Sequence, residues 1–103
     1  MTKNLFGLSQ ASLQKIGSVL KRHSQIERAI VYGSRAMGNF KPSSDIDLTL
    51  VGENLSTSDL LQIESELDDL LLPYSIDLSL FHQIENSDLK EHIQRVGKDF
   101  PTR

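Results

Sequence analysis

The octapeptide SSDIDLTL, residues 43–50, decides the fold. Asp45, Asp47 and Thr49 alternate with Ile46, Leu48 and Leu50. In a β-strand, alternate side chains point to opposite faces, so both carboxylates share one face while the aliphatic trio enters a core. Residues two apart lie roughly 6.5–7 Å along a strand. Two anions at that distance repel by about 2–3 kcal/mol near a protein surface, and by well under 1 kcal/mol in open water. On a wet face the pair is inconsequential, but in a cleft it calls for a cation.

A second segment, SIDLSL at 75–80, repeats the pattern of DIDLTL at 45–50, with an aspartate third in each. Between them, Ser56 with Asp59 resembles a capping box, and Leu60, Ile63, Leu67, Leu70 and Leu71 keep helical spacing up to the exit at Pro73. A strand–helix–strand crossover places its two strands parallel in one sheet. Neighbouring strands 45–51 and 75–81 would bring Asp77 onto the face that holds Asp45 and Asp47. Three carboxylates on one patch offer the all-oxygen donors that suit Mg²⁺ or Mn²⁺. A one-sided sheet with a wet face would carry the same alternation with no metal at all.

Upstream, residues 9–23 read as an amphipathic helix. Ser9 is its cap, Leu13, Ile16 and Leu20 its stripe, and Lys21, Arg22 and His23 its basic end. A β-rich run predicts a strand at about 28–32, ending at Gly33. SRAMG then forms a turn or two of helix stopped by Gly38, and NFKPSS is a loop. Asn86 or Ser87 caps a last helix with a stripe of Leu89, Ile93, Val96 and Phe100. The short first connection allows an antiparallel strand pair. The expected fold is α+β, one domain over 1–103, in the order α-β-α-β-α-β-α, with a small mixed sheet of about three strands.

Composition narrows the function. The 103 residues are 38% hydrophobic and 24% charged, which suits an ordinary folded domain rather than a disordered chain. Net charge is −3 with no run of Lys or Arg, so long nucleic acid is not the expected ligand. The absence of cysteine excludes disulfides and cysteine zinc sites. The opening MTKNLFGLSQ holds too short an apolar run for a signal peptide, and nothing approaches a membrane span. The expected location is the cytoplasm.

GSRAMG, 33–38, adds a phosphate-type element. Glycine lets backbone approach a ligand, amides at a helix start point outward, and Ser34 adds a hydroxyl. No Gly-Lys-Ser/Thr follows, so it is not a Walker A loop. Ten residues separate Ser34 from Asp45, giving Gly-Ser-x10-Asp-x-Asp. That combination arises by chance in roughly one chain in a thousand of this length. Its context suits a nucleoside triphosphate, with phosphates on Gly33-Ser34 and Mg²⁺ bridging them to Asp45 and Asp47.

VYGSRAMGNFKPSSDIDLTL (31–50) resembles the signature of the minimal nucleotidyltransferases in the DNA polymerase beta superfamily, and the resemblance runs through most of the chain. It implies transfer of a nucleotide, usually AMP from ATP, with release of pyrophosphate. By position, Gly33 and Ser34 match the triphosphate-binding turn and Arg35 a common family residue within reach of phosphate. Asp45 and Asp47 match the two metal-binding carboxylates, and Asp77 the third, which helps activate the attacking hydroxyl. Such proteins often pair with an all-helical HEPN partner in toxin–antitoxin modules, as the antitoxin, in some cases by adenylylating a toxin tyrosine. Larger members carry a second domain that grips base or acceptor, so a partner chain or a second copy is expected to complete the site here. The competing expectation is a catalytically idle subunit that neutralises a partner by binding alone.

Other residues read more plainly. Lys41 is expected in solvent, and His23, His82 and His92 lack metal-ligand spacing and read as surface or helix-end histidines. Tyr32 and Tyr74 flank the site elements and fit core or turn roles.

Overall fold

Residues 46–51 form a strand inside a mixed sheet in the computed structural model, which describes residues 5–101. Those residues contain four α-helices and four strands. In chain order they are α1 (Gln10–Lys21), β1 (Arg28–Tyr32), α2 (Gly33–Met37), β2 (Ile46–Val51), α3 (Thr57–Asp68), β3 (Ile76–Leu80), α4 (Ser87–Val96) and β4 (Lys98–Asp99). The sheet order is β3-β2-β1-β4. β1 and β2 pair antiparallel, as their short connection predicts, with Tyr32 opposite Asp47. β2 and β3 pair parallel across the α3 crossover, with Asp47 opposite Asp77 and Thr49 opposite Ser79.

The period-two pattern sets the two faces of the sheet. On one face Ile46, Leu48 and Leu50 are fully buried, packed with Val31 and Leu80 against Leu13, Ile16 and Leu20 of α1 and Ile63 and Leu67 of α3. Burying each such side chain contributes about 1.5–3 kcal/mol. The other face is covered only in part. There Ile30 and Tyr32 pack against Ile93 of α4, with Val51, Phe81, Leu89 and Val96 around them. Thr49 is also buried on that side, and its hydroxyl accepts a 2.9 Å hydrogen bond from Ser79 Oγ.

The helix ends follow the sequence signals. Ser9 accepts from the Ser12 amide at 3.1 Å. Ser56 and Asp59 close a reciprocal capping box, whose hydrogen bonds hold the Asp59 carboxyl below the usual range. Asn86, rather than Ser87, caps α4 by accepting from the Asp88 and Leu89 amides. Gly38 ends α2 in the left-handed conformation, at φ 88°. Arg22 and His23, just past α1, meet Glu66 of α3 at 3.1 and 3.0 Å.

Three expectations need correction. The sheet has four strands, because Lys98–Asp99 adds to β1 with Ile30 opposite Asp99. Two residues are too few to show alternation; Phe100 N donating to Ala29 O at 2.7 Å and the 2.8 Å Arg28–Asp99 ion pair fix them in place. Phe100 therefore leaves the α4 stripe. Gly97 turns the chain out of the helix, and Phe100 is buried in the opposite core, its ring stacked on Phe6 at 6.2 Å. α3 stops at Asp68, so Leu70 packs on the core from a turn while Leu71 projects into solvent at 88% exposure and φ 53°.

Candidate functional site

The aspartates stand on the face that α4 only half covers. Asp47 is half-buried, whereas Asp45, one residue before β2, and Asp77, on β3, are exposed. The in-register pairing of β2 with β3 brings Asp47 and Asp77 side by side, as the shared pattern of the two strands predicts. Burial raises the Asp47 carboxyl above its ordinary pKa, and the Asp77 and Asp45 charges raise it further. Burial likewise raises the Tyr32 hydroxyl, against a hydrogen bond with Ser79 that lowers it. A half-buried carboxylate between two others is a place where a cation is favoured.

The Gly-Ser turn meets these carboxylates directly. Gly33 opens α2 at φ 71°, a conformation that disfavours any side chain. A β-carbon there would also overlap Asp47 Oδ2. Glycine is thus favoured twice, by the backbone angle and by the carboxylate packed against it. Ser34 follows, half-buried, at the start of the same short helix. The two halves of the Gly-Ser-x10-Asp-x-Asp pattern touch at Gly33 and Asp47.

Arg35 is placed differently from its expectation. It is 2% exposed and bound into the loop that joins α2 to β2. Its guanidinium donates to the carbonyl oxygens of Ser44 (2.9 Å), Pro42 (3.3 Å) and Phe6 (2.8 Å). It also lies 5.0 Å from the Phe40 ring centroid and 4.9 Å from that of Tyr74. Its donors are spent on the backbone, so its evident work is to hold the loop. Lys41 is exposed, as expected, and His23 is taken up by Glu66.

His92 is the residue that sequence reasoning missed. Its Nε2 accepts the Gly33 N–H at 3.2 Å, and its ring meets Tyr32 edge-on at 6.2 Å. The signal was available, because Leu89, His92, Ile93 and Val96 fall at i, i+3, i+4 and i+7, so His92 lies on the helix face turned to the sheet.

Among the described residues no three His, Cys, Asp or Glu side chains stand close enough to share one ion. The oxygen donors on this face are Asp45, Asp47 and Asp77, and the two exposed ones have room to turn. A separate groove of about 540 Å³, lined by Lys21, His23, Glu27, Arg28 and Asp99 among others, lies where the end of α1 meets β4 and includes none of the site residues. Among the described residues no helix is long and apolar enough to cross a membrane.

Comparison with known proteins agrees with this fold. Three solved structures share the fold at low identity. A toxin–antitoxin complex with AMP-PNP aligns at TM-score 0.71 and 19% identity, over 88% of this chain and 73% of that one. A complex of tri-AMPylated Shewanella oneidensis HEPN toxin with an MNT antitoxin aligns at 0.66 and 18%, over 91% and 72%. The MntA–HepT toxin–antitoxin complex aligns at 0.65 and 18%, over 92% and 74%. No curated protein matches the chain. The family profile described as polymerase beta, nucleotidyltransferase, covers residues 14–100, and the chain belongs to that family.

Proposed function

We propose that this nucleotidyltransferase moves AMP from ATP to a hydroxyl on a helical HEPN-type partner protein in the cytoplasm, and so acts as the antitoxin of a toxin–antitoxin pair. The observation that carries the reading is the packing of Gly33 against the Asp47 carboxylate, with Asp77 in register beside it. On this reading the phosphate-type turn and the carboxylates beside it serve one site. Two of the similar structures, one with an ATP analogue and one with an AMPylated HEPN toxin, support the choice of nucleotide and partner.

Each residue takes a role that its position supports. Ser34 offers a hydroxyl and a backbone amide to the triphosphate. Asp45 and Asp47 would hold Mg²⁺ or Mn²⁺, with Asp77 as the third oxygen donor; the all-oxygen donor set fits either ion. When bound, the ion offsets triphosphate charge and favours the deprotonated acceptor. Asp77, exposed at the sheet edge, takes the proton from the acceptor hydroxyl, directly or through water. The acceptor oxygen bonds to the α-phosphorus, the bond to the bridging oxygen breaks, and pyrophosphate leaves. Arg35 holds the loop that presents Asp45.

The test incubates the chain with labelled ATP, Mg²⁺ and a HEPN-domain protein encoded beside it, and follows label onto the partner by mass spectrometry. Label is expected on the partner. Asp77→Ala should slow labelling about 10²–10⁴-fold, the range for loss of a general base, with a smaller change in ATP affinity. If the wild-type chain binds and silences the partner without labelling it, the binding-only function is the right one.

A further inference from the structure

We infer that His92 is a positioning residue for the nucleotide site, resting on the function proposed above: it clamps the Gly33 amide so that Ser34 presents the phosphate contacts. Four observations carry this. Gly33 is the first residue of α2, where an amide has no partner within its own helix and takes an acceptor from outside it. His92 Nε2 supplies it at 3.2 Å, across 59 residues of sequence. On its other side Gly33 is closed in by Asp47, so the residue with the widest backbone freedom is held between α4 and β2. The Tyr32 ring, edge-on to the imidazole, limits where that ring can go.

The consequence divides the labour within the turn. The Gly33 N–H is engaged by protein, and Gly33 contributes room and shape. Contact with the triphosphate passes to the Ser34 amide and hydroxyl, whose direction depends on the clamped peptide before them. α4 thereby has a stake in nucleotide binding without touching the nucleotide.

The experiment compares wild type with His92→Leu, His92→Asn and His92→Gln. Leucine keeps bulk without an acceptor. Glutamine places Oε1 the same number of bonds from Cβ as Nε2, whereas asparagine falls short. Gly33 amide hydrogen exchange by ¹⁵N NMR reads the clamp without nucleotide, and calorimetry with ATP and Mg²⁺ reads its effect on binding. Exchange at Gly33 should accelerate in the Leu and Asn variants and be restored by Gln. ATP affinity should fall about 3- to 10-fold and recover in the same order, as expected for one hydrogen bond. Unchanged Gly33 exchange and ATP affinity in His92→Leu overturn the inference, as does a loss of thermal stability with ATP affinity intact. If His92 protects the Gly33 amide but the wild-type chain binds no ATP, the nucleotidyltransferase reading fails, and the positioning role with it.

Discussion

Replacing Gly33 by alanine tests whether the turn and the carboxylates form one unit. At φ 71° an alanine sits in the left-handed region, at a cost of about 1–2 kcal/mol. Reduced freedom of the unfolded chain returns about 0.4–1 kcal/mol of that. The new methyl also displaces Asp47 Oδ2, and pushing the carboxylate off its rotamer costs about 0.5–1.5 kcal/mol. Gly33→Ala should therefore destabilise by about 0.5–3 kcal/mol, of which the last part depends on Asp47. In Asp47→Ala the remaining β-carbon lies 3.6 Å from the added methyl, an ordinary contact. Urea unfolding of wild type, both single variants and the double variant then measures the coupling. The substitution should cost about 0.5–1.5 kcal/mol less where Asp47 is already alanine. Equal costs in the two backgrounds refute the packing of Gly33 against Asp47, and with it the observation on which the proposed function rests.

Asp47→Asn should keep its fold by circular dichroism and lose AMP transfer. Its carboxyl has a raised pKa in the folded protein, so the charge costs stability above that pKa and the cost disappears as pH falls toward the ordinary value of 3.8. The asparagine variant should thus melt higher at pH 7, with the gap closing on acidification; a lower melting point at pH 7 contradicts the site. Glu66 behaves in the opposite sense. Hydrogen bonds from His23 and Arg22 lower its pKa from 4.5 to about 2, so its contribution is present above 4.5 and lost between those values. Glu66→Gln should melt lower at pH 7 and converge with wild type near pH 2. Chelation should separate metal from nucleotide: calorimetry should show ATP binding weakened in EDTA, and equal affinity with and without Mg²⁺ counts against the carboxylate site. Leu71→Asn should stabilise by up to about 1 kcal/mol in urea, since asparagine tolerates positive φ and an exposed leucine surrenders little packing.

Period-two alternation made the faces of β2 and β3 legible, and with them the pairing of Asp47 with Asp77 on one face. Capping chemistry marked α1 and α3 because Ser9 and Ser56 act on amides three residues away. Features that depend on distant partners were not legible. β4 is two residues long and is defined by Ala29 and Arg28, some seventy positions earlier in the chain. Arg35 was expected within reach of phosphate, and its burial against the loop was not legible because its partners are backbone carbonyls, which leave no trace in residue identity. The α3 stripe overran because leucine spacing continued past the point where hydrogen bonding stopped, leaving Leu71 in solvent.

The Arg35 anchor also sets what evolution can vary between the two motifs. Carbonyl oxygens at Pro42 and Ser44 are the same whatever side chains those residues carry, so the guanidinium measures distance along the chain and is blind to most of its composition. Phe40, stacked on Arg35, is the exception. Apart from Phe40, Gly38 at φ 88° and Ser44, whose hydroxyl accepts the Lys41 N–H, residues 38–44 are therefore free to drift in identity while remaining fixed in number. One inserted residue would slide Asp45 out of place even if every motif residue were retained.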